Sequence, residues 1–151
     1  MERGWVIGTP LGADIVDAQP PREGNAAVAL AVGVDVIERA RVLRAYERFG
    51  ARFLRRVFTD LEIEEATGRI ERLVGRFAAK EAASKALGTG IGQIAWREIE
   101  IQRMPGGKPM VRLSGKAAKR ARALGLDVFD VSISDTRTHA FAVVVAAGGG
   151  G

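Results

Sequence analysis

The chain has 151 residues and a formal net charge of +5, with no cysteine and one histidine, His139. Its length suits one domain with a core of its own, while the missing thiols exclude disulfides, zinc–thiolate centres and cysteine nucleophiles, and the lone histidine excludes a multi-histidine centre. A bound metal would rest on carboxylates, which favours magnesium, manganese or calcium, and the basic balance points to nucleic acid, a phosphorylated small molecule or an acidic protein.

The few aromatics (six Phe, two Trp, one Tyr) are not interleaved with the basic residues. That argues against the stacking platforms of nucleic-acid binders. No apolar run approaches the roughly 18 residues of a membrane span, and no basic-then-apolar signal opens the chain, so a soluble cytoplasmic protein is expected.

Residues 1–27 are rich in proline and glycine without periodicity, and are expected to form a flexible extension outside a domain spanning 28–147. The glycines at 148–151 are expected to be a tail. Val28–Ile37 is apolar and valine-rich, as a buried strand should be, with Asp35 interrupting it two residues after Gly33. That carboxylate reads equally as a cap for the next helix or as a metal ligand presented from a strand. From Glu38 to Val57 the pattern turns helical, with Val42, Tyr46, Phe49, Phe53 and Val57 recurring at threes and fours and Gly50 expected to split the stretch in two. Arg41, Arg44, Arg48, Arg52 and Arg55 form a displaced stripe, either a solvated face or a docking surface for an acidic protein.

Thr59-Asp-Leu-Glu62 is a capping box opening a short helix that stops near Thr67-Gly68. Ile70 to Gly88 predicts the long organising helix, closed by a glycine cluster. At about 100° per residue, Ile70, Val74, Phe77 and Ala78 share a face with Glu81 and Lys85, while Arg69, Arg72, Ala79 and Ala83 fall opposite and Arg76 and Lys80 lie nearer the boundary. A carboxylate and an ammonium on the core side read either as an ordinary i,i+4 pair or as a metal ligand beside a cation. Next come a strand over Trp96–Met104, a hairpin turn at Pro105–Pro109 and a return strand, Met110–Leu113. Ser114 is expected to cap a helix ending at Gly125. Strands Val128–Ser134 and His139–Ala147 follow, joined by Asp135–Thr138. This order predicts an α+β fold with a mainly antiparallel sheet packed against helices.

Four motifs then stand in register: Gly33-Val-Asp35 running on to Arg41, Arg76-Phe-Ala-Ala-Lys80-Glu81-Ala-Ala-Ser-Lys85-Ala, Gly107-Lys108-Pro109, and Val131-Ser-Ile-Ser134. In order and spacing the chain resembles the holo-acyl-carrier-protein synthases, the short class of 4′-phosphopantetheinyl transferases, from about Leu30 to Ala147. The resemblance implies a transferase-like α+β fold and a magnesium-dependent reaction, with manganese as the substitute. Phosphopantetheine would pass from coenzyme A to a serine of apo acyl carrier protein, releasing adenosine 3′,5′-bisphosphate. It implies Asp35 and Glu81 as metal ligands, and Glu81 and Lys85 as catalytic groups. Glu81 is the expected base for the carrier serine, acting directly or through a water on the cation.

Also by resemblance, Arg76, Lys80, Lys85, Gly88, Thr89 and Gly90 would meet coenzyme A. Lys108, Pro109, Ser134, Asp135 and Thr136 would reach the same ligand, often across a subunit boundary. Arg41, Arg44 and Arg48 would dock the acidic helix of the carrier. A homotrimer is implied, with no nucleic-acid or membrane partner. The chain departs from the family at Asp135, where many members have histidine, and in its N-terminal extension. A basic nucleic-acid module would leave Asp35 and Glu81 unexplained, and a degenerate scaffold would not need the full set of cationic and metal positions.

Overall fold

The computed structural model describes residues 28–148. The expected extension over 1–27 and most of the expected tail lie outside the described residues, but Gly148 does not: it is the last residue of a strand. The order is β1 (Ala29–Glu38), α1 (Arg39–Phe49), α2 (Ala51–Val57), α3 (Asp60–Ala66), α4 (Glu71–Ala86), β2 (Ile99–Arg103), β3 (Pro109–Leu113), α5 (Gly115–Ala123), β4 (Val128–Asp135) and β5 (His139–Gly148). The expected α+β class holds: β1, β5 and β4 form an antiparallel sheet in that order, and β2 with β3 makes a separate antiparallel hairpin.

Strand alternation decides what the sheet presents. Gly33, Asp35 and Ile37 of β1, the even residues of β5 from Ala140 to Ala146, and Val131 of β4 face inward, onto α4. The core is built from small residues: Ala78, Ala79, Ala82, Ala83 and Ala86 of α4 meet Ala140, Ala142, Val144 and Ala146 of β5. Alanine on both surfaces lets helix and strand backbones approach closely. Gly33 is the closest point, since a Cβ placed there would run into the carbonyl oxygen of Ala82. Gly33→Ala should therefore cost about 3 kcal/mol, the upper end of overpacking penalties, read as a lower midpoint in urea unfolding.

The outward face of the sheet is apolar and exposed. Leu30, Val32, Val34 and Val36 of β1 lie beside Phe141, Val143 and Val145 of β5, with Val32 opposite Val145 and Val34 opposite Val143.

Four local expectations need correction. Residues Trp96–Glu98 form a 3-10 turn before β2 begins, because the Glu98 carboxylate accepts the Ala95 N–H at 2.7 Å and closes the chain on itself. The same carboxylate accepts the Lys116 N–H at 2.7 Å, so the start of α5 is capped by Glu98; Ser114 holds the N-cap position without making a side-chain capping bond. The organising helix has no polar face opposite its core face: Ala79 and Ala83 are as buried as Ala78. β1, expected as a buried strand, is likewise corrected: it is covered on one face only, with Leu30, Val32, Val34 and Val36 exposed. Gly50, at φ 56°, divides α1 from α2, and the Thr59–Glu62 capping box is complete.

Candidate active site

β1 and α4 cross at Gly33, and this contact brings two carboxylates together. Asp35 lies two residues beyond the crossing on the inward face of β1, and Glu81 sits on α4 beside Ala82, whose carbonyl meets Gly33. Both readings that competed with ligation fail here. Asp35 does not cap α1, whose N-cap is Glu38, and Lys85 does not pair with Glu81 along the helix. The Lys85 ammonium reaches across instead, donating to Asp35 Oδ1 at 3.0 Å and to the Val34 carbonyl at 3.0 Å. Lys85 is itself half exposed rather than turned into the core. Burial holds the Glu81 carboxyl above its usual range, the Asp35 charge pushes the same way, and Lys85 and Arg41 oppose them.

That shift carries a stability consequence. The folded state binds the Glu81 proton more tightly than the unfolded chain does, so the penalty for ionising it is absent below its ordinary value of 4.5. The penalty grows as pH rises through the folded-state value. In protein stripped of divalent cations by a chelator, Glu81→Gln is expected to melt above wild type near neutral pH. The gap should close as pH falls towards about 4.

Two adjoining carboxylates, one of them paired with an ammonium, suit a hard divalent cation, which neutralises both. Among the described residues no group of three or more His, Cys, Asp and Glu side chains converges. Asp35 and Glu81 thus stand as a pair rather than as part of a larger carboxylate cluster. The glycine cluster after α4 contributes less backbone than expected. The amides of Gly88, Thr89 and Gly90 turn back to the Lys85 and Ser84 carbonyls to close the helix, so they are not offered to a phosphate. The Thr89 hydroxyl, by contrast, is buried without a hydrogen-bond partner among the described residues, an orphan that a ligand oxygen would satisfy.

A second group gathers at the other end of α4. A cleft of about 810 Å³ is lined by Arg39, Arg69, Arg72, Arg76 and Arg103, with Pro109 and Asp135 on its walls. Of the residues expected to meet coenzyme A, Arg76, Pro109 and Asp135 lie here. Arg76 is largely committed to α3: it pairs with Glu65 and donates to the Glu62 carbonyl at 3.2 Å. Lys108 turns to Asp130 at 3.0 Å, Ser134 points to the outward face of β4, and the Thr136 hydroxyl accepts the Thr138 and His139 amides within its turn.

Lys80 is the clear correction. Expected to meet a phosphate, it is wholly buried, paired with Glu62 at 2.7 Å and donating to the Ile99 carbonyl at 2.6 Å and the Trp96 carbonyl at 3.2 Å. The cleft arginines at 39, 69, 72 and 103 were not singled out as ligand groups in the sequence. The spacing of Arg69, Arg72 and Arg76 was the available signal, three and four apart like one face of a helical turn.

The residues thus fall into two sets on one chain. Asp35, Glu81 and Lys85 sit at the C-terminal half of α4, with Gly88–Gly90 just beyond it, and the arginine cleft lies at its N-terminal half. Arg41, Arg44 and Arg48 are exposed along α1. Among the described residues, no helix is long and apolar enough to cross a membrane.

A carboxylate pair, a cation and an arginine cleft on an antiparallel α+β scaffold define a handler of phosphorylated substrates. The 4′-phosphopantetheinyl transferase superfamily description matches residues 31–144, and the chain belongs to that superfamily, within its holo-[acyl-carrier-protein] synthase family. A holo-[acyl-carrier-protein] synthase of Koribacter versatilis is 42% identical over 120 residues, covering 77% of this chain and 96% of its own length. The Helicobacter pylori holo-[acyl-carrier-protein] synthase, solved in complex with coenzyme A, aligns with a TM-score of 0.69 at 33% identity over 76% of this chain and 98% of its own. The Bacillus anthracis enzyme, solved with CoA (3′,5′-ADP), aligns with a TM-score of 0.67 at 33% identity, covering 81% and 99%.

Proposed function

We propose that the protein transfers 4′-phosphopantetheine from coenzyme A to a serine of apo acyl carrier protein, releasing adenosine 3′,5′-bisphosphate, as a cytoplasmic, magnesium-dependent enzyme. The observation that carries this reading is the convergence of Asp35, Glu81 and Lys85 where β1 crosses α4, within a chain of this family. In the reaction the serine oxygen bonds to the phosphorus that carries pantetheine, and the bond from that phosphorus to the adenosine-side phosphate oxygen breaks. Asp35 and Glu81 would hold Mg2+, or Mn2+ in its place, which supplies charge neutralisation of the pyrophosphate and of the departing phosphate. Lys85 places a further positive charge beside them. Glu81 is the group positioned to take the serine proton, and the Thr89 hydroxyl would meet a ligand oxygen.

The nucleotide end of coenzyme A would occupy the arginine cleft, with Gly88, Thr89 and Gly90 along its path. One chain keeps carboxylates and cleft at opposite halves of α4, so we read the working enzyme as a homotrimer in which the cleft of one copy faces the carboxylates of the next. The exposed Val32, Val34, Val143 and Val145 face supports association, since apolar patches of this kind mark contact surfaces. Arg41, Arg44 and Arg48 would receive the acidic carrier. Beside them a groove of about 490 Å³, walled by Phe53, Phe77 and Trp96 and rimmed by Arg41, Arg52 and Arg56, offers an apolar seat between cations. Replacing Arg41, Arg44 and Arg48 together by glutamate should slow association with the carrier by about tenfold or more at low salt, and less as salt rises. Steady-state rates at several ionic strengths read this.

The deciding experiment is mass spectrometry of an apo acyl carrier protein incubated with the protein, coenzyme A and magnesium. The expected result is a mass gain equal to phosphopantetheine that requires metal. No gain with carriers from both fatty-acid and polyketide synthesis would overturn the reading.

A further inference from the structure

Glu62 and Lys80 are both completely buried, an arrangement that charged side chains adopt only when every polar atom is matched. Matching is complete here. Glu62 Oε2 accepts from Lys80 at 2.7 Å and from the Thr59 amide at 2.8 Å, while Oε1 accepts from the Ile101 amide at 2.8 Å. Lys80 Nζ donates to the Ile99 and Trp96 carbonyls and lies over the Phe58 ring.

The two backbone partners explain why charges are spent inside a core. Among the described residues, β2 is bonded to β3 on one side only. In an antiparallel pair alternate residues direct their N–H and C=O to the same edge, so Ile99 and Ile101 share the edge that β3 leaves open. The Ile99 carbonyl and the Ile101 amide are what a further strand would engage, and the buried pair engages them instead, with Lys80 donating to one and Glu62 accepting from the other. The ion pair therefore stands in for a missing strand. It ties that edge to α4 through Lys80 and to α3 through Glu62.

What is tied matters for the site. Ile101 and Arg103 of β2 and Pro109 of β3 form one wall of the arginine cleft, and Arg72 and Arg76 of α4 form the facing wall. Arg76 is additionally held by the carbonyl of Glu62 itself. We propose that Glu62 and Lys80 are positioning residues which pin the open edge of β2 to α4 and so set the separation of the two arginine-bearing walls of the cleft. This rests on the reading that the cleft receives the nucleotide end of coenzyme A. Neither side chain touches the ligand; both act through β2 and Arg76.

The test compares wild type, Glu62→Gln and a control, Leu126→Ala, whose side chain is buried in the core beside the α5–β4 connection and lines neither the arginine cleft nor the β1–α4 crossing. Each is characterised by melting temperature and by steady-state transfer with coenzyme A varied. Glu62→Gln is expected to raise KM for coenzyme A about tenfold with kcat within about twofold, as loss of uniform binding does. Leu126→Ala should lower the melting temperature and leave KM unchanged. An unchanged KM in Glu62→Gln, or a kcat that collapses at constant KM, would overturn the positioning role.

Should Glu62→Gln fail to fold, hydrogen exchange on the wild type decides. The Ile101 amide should exchange as slowly as the amides of β5, and a rate matching the Gly106–Gly107 turn would refute the pinning. If the wild type turns over no coenzyme A, the proposed function falls, and the Ile101 exchange rate still judges the pin independently.

Discussion

Replacing Glu81 by alanine is expected to cut phosphopantetheine transfer by about 10³-fold, within the range assigned to a general base, while the protein still folds. The size follows from the two roles proposed for one carboxylate, which serves as one of two oxygen donors for the cation and as acceptor of the serine proton. Removing it leaves Asp35 alone with Lys85 at 3.0 Å, an ion pair that offers little to a divalent ion. The fold should survive because Glu81 is only half buried, and its absence removes a carboxyl whose ionisation is opposed by burial and by the Asp35 charge. The mass-spectrometric transfer assay with purified variant checks both halves of the expectation. A loss below tenfold would show that another group takes the proton and that the cation holds on without Glu81.

Lys80→Met should produce the largest loss of stability, about 3–5 kcal/mol, the cost of leaving a buried charge without its partner. The preceding residue along α4 thus gives the opposite outcome from Glu81. Methionine roughly fills the volume of the lysine stem but makes none of its three polar contacts. Glu62 then keeps a charge in a fully buried site, and the Ile99 carbonyl loses its 2.6 Å donor. Burial pulls the Lys80 ammonium below its usual range and the Glu62 charge opposes that, so the pair is a balance in which either member alone is worse than both. Since domains are stable by only about 5–15 kcal/mol, the variant should be marginal, and urea unfolding gives the difference. A loss under about 1 kcal/mol would mean that the desolvation cost of the lysine cancels its bonds.

These neighbouring positions also show where sequence reading stopped. The element order, both hairpins, the Gly50 break and the Thr59–Glu62 capping box were legible because each is local: period two, period three to four, or a fixed offset between a hydroxyl and a carboxylate. Asp35 and Glu81 were legible as anomalies, carboxylates set in apolar runs. Lys80 was not, because helical angle alone placed it near a boundary. Its burial depends on α3 and β2 closing over it, which no periodicity within α4 contains. Glu62 was read as half of a capping box and is that, yet its second oxygen serves Ile101, 39 residues on. The same limit hid the turn at Trp96–Glu98, where alternation suggested a strand and a side-chain bond to Ala95 made a 3-10 turn. It also hid the cleft arginines, drawn from α1, the α3–α4 connection, α4 and β2.

The valine face on the outside of the sheet has a further consequence through mass action. If copies cover Val32, Val34, Val143 and Val145 in the assembly, each chain's folded state is favoured by its neighbours as a ligand favours its receptor. The melting temperature then rises with protein concentration, and dilution both loosens the fold and separates each cleft from the carboxylates it serves. Catalytic rate per chain would then fall on dilution as well, which makes the amount of this protein in a cell a control on its own activity.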